Sequence, residues 1–81
     1  MPVRLRLDRG DIDALAAWIR EQLDDSALGT AHTAMLNEIV PHLHADTAAG
    51  GLARRVLQFL GAAYRHRGGY REVWLPSPFQ P

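Results

Sequence analysis

Apolar residues recur every three or four positions in three stretches of the chain, the spacing that places side chains on one face of a helix. In the first stretch this face is formed by Ile12, Leu15, Ala16, Ile19 and Leu23. Asp11 can accept the free amides of the first turn, so the pattern predicts a helix that starts after Asp11. Trp18 lies about 120° from the centre of the face, at 100° per residue, so it either covers the edge of the core or is exposed at an interface.

The second stretch places His32, Met35, Leu36, Ile39 and Leu43 on one helical face. The sequence predicts that Thr30 or Thr33 starts this helix, because Asp24, Asp25, Ser26 and Gly29 form a break after the first one. Pro41 is expected to kink or interrupt the helix, since proline lacks an amide donor and crowds the preceding turn.

The third stretch has the widest apolar stripe and follows a cap at Asp46 or Thr47. Its centre is predicted at Leu52, Val56, Phe59, Leu60 and Ala63, and it is widened by Ala53, Leu57 and Tyr64. The opposite face holds Arg54, Gln58, Gly61 and Arg65, and Gly68-Gly69 is expected to stop the helix. A stripe this wide predicts a central helix that contacts more than one neighbour.

Both ends of the chain differ from these helical stretches. Residues 3–7 alternate apolar and charged side chains, which predicts a strand-like arm over residues 1–9 whose only internal partner is residues 73–75, or else a frayed terminus. Tyr70–Trp74 is interpreted as a short helical turn or a strand. The proline-rich residues 76–81 predict an extended, polyproline-like tail.

Together these patterns predict an all-α fold: one small domain over residues 1–75 with three main helices, in which helices joined by short loops pack antiparallel, followed by the tail. The predicted core is Leu15, Ile19, Leu23, Leu36, Ile39, Val56, Phe59 and Leu60.

Composition and charge narrow the possible functions. The chain has 81 residues and no cysteine, so no disulfide and no thiolate chemistry is available. Residues 1–50 hold four arginines and eight acidic residues, a net charge of −4, whereas residues 51–81 hold five arginines and one glutamate, a net charge of +4. Such asymmetry suits association or an acidic partner. Neither a membrane span nor a signal peptide is evident, and a cytoplasmic location is expected.

The sequence gives little support for catalysis or metal binding. His42 and His44 point about 200° apart on a helix, and His32 lies on the apolar face, where a core-edge histidine with a hydrogen-bonded ring is expected. No zinc-ligand motif and no nucleophile elbow occurs. We therefore expect no enzyme activity, cofactor, metal or small-molecule substrate.

Residues 64–74 interleave arginine with aromatic residues and allow three interpretations. Tyr70 and Trp74 can fold back onto the core while the arginines face water; the segment can be a protein interface; or it can bind nucleic acid. The interface hypothesis assigns partner binding to Trp18, Tyr64, Arg67, Tyr70, Arg71 and Trp74. The nucleic-acid hypothesis uses Arg54, Arg65, Arg67 and Arg71, although the sequence pI of about 6.9 is low for a dedicated nucleic-acid binder.

The same segment carries a resemblance to other proteins, at Leu57, Leu60, Tyr64, Gly69, Tyr70, Arg71, Glu72, Trp74 and Pro76. Here the chain resembles a family of small uncharacterised proteins of actinobacteria and their phages, which tend to end in Tyr and then Gly-Tyr-Arg-Glu-x-Trp. Gly68 and Arg67 depart from the proline and histidine usual at those positions. The resemblance implies a small accessory protein of a bacterium or phage and no particular chemistry.

These observations predict a non-enzymatic protein-interaction module that self-associates or docks on a larger protein. The alternative is a small nucleic-acid-binding regulator that uses the basic C-terminal half.

Overall fold

The computed structural model describes residues 7–76 and contains three α-helices joined by short connections. They are α1 (Arg9–Gln22), α2 (Ala27–Ile39) and α3 (Ala48–Ala62), and two 3₁₀ turns lie at Val40–His42 and Glu72–Trp74. Residues 7–76 contain no strand, which confirms the all-α class for this part of the chain. Residues 1–6 of the predicted arm and residues 77–81 of the predicted tail lie outside the described residues.

Each helix begins at a side chain that accepts a backbone amide, but the first two begin earlier than the pattern predicts. The cap of α1 is Asp8 rather than Asp11, because Asp8 accepts the amide of Asp11 at 2.7 Å while the Asp11 carboxylate accepts the amide of Asp8 at 3.2 Å. The cap of α2 is Ser26, which makes Thr30 and Thr33 helical rather than starting residues. Thr47 caps α3, as predicted.

Pro41 interrupts the second helix as expected. The α-helix ends at Ile39, and Val40–His42 continues as a 3₁₀ turn because proline cannot donate the next helical hydrogen bond. At the other end of the bundle α3 stops at Ala62, before the predicted Gly68-Gly69 stop, and tight turns follow in which the amides of Tyr64 and Arg65 reach carbonyls three residues back.

Side-chain contacts fix the direction of the helices. His32 of α2 contacts Tyr64 beyond the end of α3, and Arg54 of α3 reaches the carbonyl of Leu43, so α2 and α3 run antiparallel. Trp18 near the end of α1 donates to the carbonyl of Gly68 just beyond α3, which places the end of α1 beside the end of α3, and Arg20 of α1 donates to the side chain of Asn37 on α2 at 3.3 Å. α3 contacts both other helices and both 3₁₀ turns, which confirms it as the central element.

The core confirms half of the predicted residues and shifts the apolar face of α3. Leu15, Ile19, Leu36 and Leu60 are buried, whereas Leu23, Ile39 and Val56 are half-buried. Phe59 is 39% exposed, so its assignment to the core is wrong. The buried side of α3 is instead formed by Gly50, Ala53, Leu57, Leu60, Gly61 and Ala62.

The shift on α3 has a steric cause at Gly61, which the sequence pattern placed on the polar face. A Cβ at this position would lie 2.8 Å from Cδ1 of Leu15. The absence of a side chain therefore lets α1 approach α3 closely, and α3 turns Gly61 and Leu57 towards α1. The larger apolar residues Leu52 and Phe59 consequently face outwards.

Candidate functional site

The segment that follows α3 folds back onto α1 through three aromatic rings. The ring centroids of Trp18, Tyr70 and Trp74 lie 5.4 to 5.7 Å apart in edge-on or tilted pairs. Trp18 Nε1 also donates to the carbonyl of Gly68 at 3.0 Å. Trp18 and Trp74 are 8% and 1% exposed, so these rings close the core, as the first of the three interpretations of residues 64–74 predicts.

Gly69 makes this closure possible. Its φ of 91° lies in the left-handed region that side-chain-bearing residues rarely adopt, and a Cβ there would lie 2.8 Å from Nε1 of Trp18. The turn at Gly69 therefore requires glycine on both conformational and steric grounds.

The six residues predicted to bind a partner divide between the core and the surface. Besides the two buried tryptophans, Tyr64 is buried, and Tyr70 is half-buried. Arg67 and Arg71 are exposed, but their guanidinium groups lie 5.2 Å from the ring centroids of Tyr64 and Trp74. Partner binding by these two arginines stays a prediction, whereas the buried rings have a clear role in packing.

The arginines of the nucleic-acid hypothesis also have partners within the chain. Arg54 donates to the carbonyls of Leu43 and Ala45 at 2.9 and 3.0 Å, which holds the loop before α3 in place. Arg65 donates to the carbonyl of Ala62 at 2.9 Å, and Arg67 donates to the carbonyl of Gln22 at 3.3 Å. Each of these hydrogen bonds satisfies a backbone carbonyl at a helix end or in a loop.

Two of the four histidines, His32 and His44, make side-chain contacts within the fold. The ring of His32 is half-buried and its Nδ1 lies 2.7 Å from Oη of Tyr64, which confirms the predicted core-edge histidine with a hydrogen-bonded ring. His44 Nε2 lies 2.7 Å from the carboxylate of Asp13 on α1. Residues 7–76 contain no group of three or more histidine, aspartate or glutamate side chains that could hold a metal ion.

An open cleft of about 540 Å³ lies where the start of α1 meets the loop before α3. Its walls carry charges of both signs, because Asp8 and Asp46 face it together with Arg9, Arg54 and Arg55. Arg54 is already committed to two loop carbonyls. The cleft thus lacks the single-sign charge that would select one class of ligand.

A more distinctive surface lies on the side of the molecule away from α1. Leu28 and Met35 on α2 are 65% and 44% exposed, and Leu52 and Phe59 on α3 are 66% and 39% exposed. Each pair is seven residues apart and so lies on one line along its helix. We name this surface the α2–α3 face; it consists of Leu28, Ala31, Met35, Leu52, Val56, Phe59 and Ala63.

Helical geometry places both lines on the same side of the bundle. At 100° per residue, Leu28 and Met35 lie about 160–180° from Asn37, the α2 residue bonded to α1. Leu52 and Phe59 lie about 160–180° from Gly61, which contacts Leu15 of α1. Both lines therefore point away from α1, on either side of the groove between α2 and α3.

Part of this surface follows the helical spacing of apolar residues, which predicts that it is core. Met35 and Phe59 follow helical spacing, and spacing alone does not tell which of two neighbouring apolar stripes is covered. One feature of the sequence does indicate an apolar outer surface on α2. Residues 27–38 carry a single charged residue, Glu38, whereas a solvated helix usually carries several.

Comparisons with known proteins give no further guide. The chain matches no protein-family model, no curated protein and no solved structure. The resemblance at residues 57–76 thus stays a prediction. Among the residues described, no helix is both long and apolar enough to cross a membrane.

Proposed function

We propose that this chain is a non-enzymatic protein-interaction module and that the α2–α3 face is the surface it uses. The single observation that carries the proposal is the exposure of four large apolar side chains, Leu28, Met35, Leu52 and Phe59, on one side of a small bundle. Isolated exposed apolar residues are common on proteins, whereas contiguous ones mark interaction surfaces.

The energy of covering this face supports binding. Fully burying a leucine, methionine or phenylalanine side chain contributes about 1.5–3 kcal/mol. Leu28 and Leu52 have about two thirds of their surface still to bury, at 65% and 66% exposure. A partner that covers these residues gains most of that free energy without disturbing the core, because neither side chain belongs to it.

The chemistry of the face favours a protein over a nucleic acid. Its seven residues carry no charge, and the arginines of the alternative hypothesis are bound to carbonyls or stacked on rings of the same chain. Phosphate binding would have to compete with these contacts for the same guanidinium groups. The α2–α3 face is therefore better suited to bind a protein than the arginines are to bind a nucleic acid.

A pair of variants tests this assignment. Leu28→Ser with Phe59→Ser removes two of the large apolar side chains of the face, and Ala17→Ser with Glu21→Ser is the matched control on the outer surface of α1. We expect the control to keep the complexes that the tagged wild-type chain forms, alone or in nuclease-treated extract of its source cells, and the first variant to lose them with unchanged circular dichroism. Full retention of binding by the first variant would refute the proposal, as would loss of all binding after nuclease treatment.

A further inference from the structure

The charged residues at the edges of the α2–α3 face indicate which partner would bind there. Two charged residues flank the apolar surface: Glu38 on α2 and Arg55 on α3, both exposed. Within residues 7–76 Glu38 takes part in no ion pair, and the guanidinium of Arg55 lies 5.2 Å from the ring centroid of Phe59. Arg55 also lines the cleft at the start of α1. The face thus has an acidic residue at its α2 edge and a basic residue at its α3 edge, around an apolar centre.

Glu38 and Arg55 lie on opposite edges. His32 and Tyr64 mark where α2 and α3 face each other, with Nδ1 and Oη 2.7 Å apart. At 100° per residue Glu38 lies about 120° from His32, and Arg55, which is exposed, lies about 140° from the buried Leu60 of the same helix. Both therefore point away from the groove, on its two sides.

The two residues also lie at nearly the same height along the bundle. A Cβ on Gly50 would lie 3.1 Å from the carbonyl oxygen of His42, so these two residues are at the same height. Because α2 and α3 are antiparallel, Glu38, four residues before His42, is then about level with Arg54, four residues after Gly50. Arg55 is the next residue, about 1.5 Å further along the helix axis. This distance is within the reach of an arginine side chain.

Resting on the proposed function, we infer that the partner is a second copy of this chain, related by a two-fold axis that runs along the groove between α2 and α3. Such an axis preserves height and exchanges the two edges, so Glu38 of each copy meets Arg55 of the other. The apolar centres then face each other, with α2 of one copy over α3 of the other. The resulting interface is apolar inside and has two symmetric ion pairs at its rim.

The size of the face is sufficient for such a dimer. Helices of 13 and 15 residues are about 20 Å long and lie about 10 Å apart, which gives a face of about 20 by 20 Å. Covering it on both copies buries on the order of 1,000 Å² in total, the lower limit for a specific interface. We therefore expect a reversible dimer rather than a permanent one.

Charge reversal tests both the partner and the symmetry. Sedimentation equilibrium of the purified wild-type chain should show a monomer–dimer equilibrium. Glu38→Arg and Arg55→Glu should each weaken it about tenfold or more, because each reversal puts two like-charge pairs in the homodimer. An equimolar mixture of the two variants should recover the wild-type affinity as a heterodimer, since both pairs are then of opposite sign.

Three results separate this inference from the proposed function. Recovery of the wild-type affinity in the mixture supports the two-fold dimer. Glu38→Gln and Arg55→Gln are the controls: each should weaken dimerisation, and mixing the two should not restore it. A wild-type chain that stays monomeric at every concentration overturns the dimer but not the face, which the serine variant tests separately in extract. A dimer that survives Leu28→Ser with Phe59→Ser overturns both.

Discussion

The outer surfaces of α1 and α2 both face away from the core of the bundle, but that of α1 is charged and that of α2 is mostly apolar. The exposed side of α1 carries Arg9, Asp13, Arg20 and Glu21, a mixture of charges that water solvates well. The exposed side of α2 carries Ala27, Leu28, Ala31, Ala34 and Met35, with Glu38 as its one charged residue. Both helices bury an apolar side against the same core, so the difference does not arise from the fold.

This difference indicates which of the two surfaces is suited to contact with water and which is suited to contact with a partner. The outer side of α1 has the composition of a surface that stays in water, whereas α2 shares with α3 a second apolar side beyond what the core uses. A helix that is apolar on two sides needs two neighbours. Within residues 7–76 α3 packs against one side of α2. The proposed second copy would cover the other side.

The largest expected effect separates the buried rings from the surface. Trp74→Ala should lower the free energy of unfolding by about 3–5 kcal/mol, because Trp74 is 1% exposed and contacts the rings of Trp18 and Tyr70. Val73→Ala, in the same 3₁₀ turn but 38% exposed, is the control and should change it by about 0.5 kcal/mol or less. Urea unfolding followed by tryptophan fluorescence measures both; equal effects would show that the rings are not core.

The second prediction compares two leucines of α3. Leu57→Ala should destabilise the chain by about 2–5 kcal/mol, since Leu57 is fully buried against α1 and α2. Leu52→Ala, on the α2–α3 face, should change the stability by about 0.5 kcal/mol or less when measured at low protein concentration, where the dimer dissociates. Thermal unfolding at two concentrations checks this, and a large loss at Leu52 would place the α2–α3 face in the core.

These two leucines also show how much of the fold the sequence could predict. The helical spacing located all three helices, the Thr47 cap and the break at Pro41. The spacing could not predict which face of α3 is buried. Large apolar residues dominate such a pattern, whereas Gly61 has no side chain to add to it. The orientation depends on close helix contact at Gly61, a property of two helices together that one helix's pattern does not contain.

The third prediction concerns the turn that places the rings. Gly69→Ala should cost about 1–3 kcal/mol, because alanine is strained at a φ of 91° and its Cβ would press on the indole of Trp18. Gly68→Ala is the matched control: its φ is not positive and no atom lies within 4 Å of a Cβ there. That variant should be neutral or stabilising by up to about 1 kcal/mol. A reversed order in the measured melting temperatures would contradict the described turn.

The smallest expected effects come from two tyrosine hydroxyls. Tyr64→Phe should cost about 1 kcal/mol, because it removes the hydrogen-bond partner of His32. Tyr70→Phe should be neutral or slightly stabilising, because in the described part of the chain the Tyr70 hydroxyl is buried without a hydrogen-bond partner. Denaturant unfolding at pH 7 compares the two variants; a loss of stability in Tyr70→Phe equal to that in Tyr64→Phe would contradict this assignment.

The same hydroxyl has a pH signature. Burial raises the pKa of Tyr70 above its ordinary value of 10.0, with Arg65 opposing the shift. Because the buried hydroxyl resists ionisation, Tyr70 leaves the stability unchanged with pH below about pH 10 and lowers it as the pH rises through the raised pKa. Unfolding curves between pH 8 and about pH 11 should show a smaller alkaline loss for Tyr70→Phe than for wild type, and equal losses would refute the shift.

The candidate site was less predictable than the fold. The sequence predicts an interaction module but places its residues at Trp18 and in the segment from Tyr64 to Trp74, where arginine and aromatic residues concentrate. The same aromatic residues that dominate interfaces also dominate cores, so composition could not separate the two roles. Closure of the rings on Trp18 separates them, and that contact spans some 50 residues of the chain.

The most direct test of the α2–α3 face is a dilution series of the ¹⁵N-labelled wild-type chain followed by backbone amide NMR. If the face is a self-association surface, concentration-dependent shift changes should cluster in α2 and on the outer side of α3, including Leu28, Met35 and Phe59. The outer side of α1, including Ala17 and Glu21, should not change. Spectra independent of concentration, or changes confined to α1 or to residues 67–74, would contradict the account.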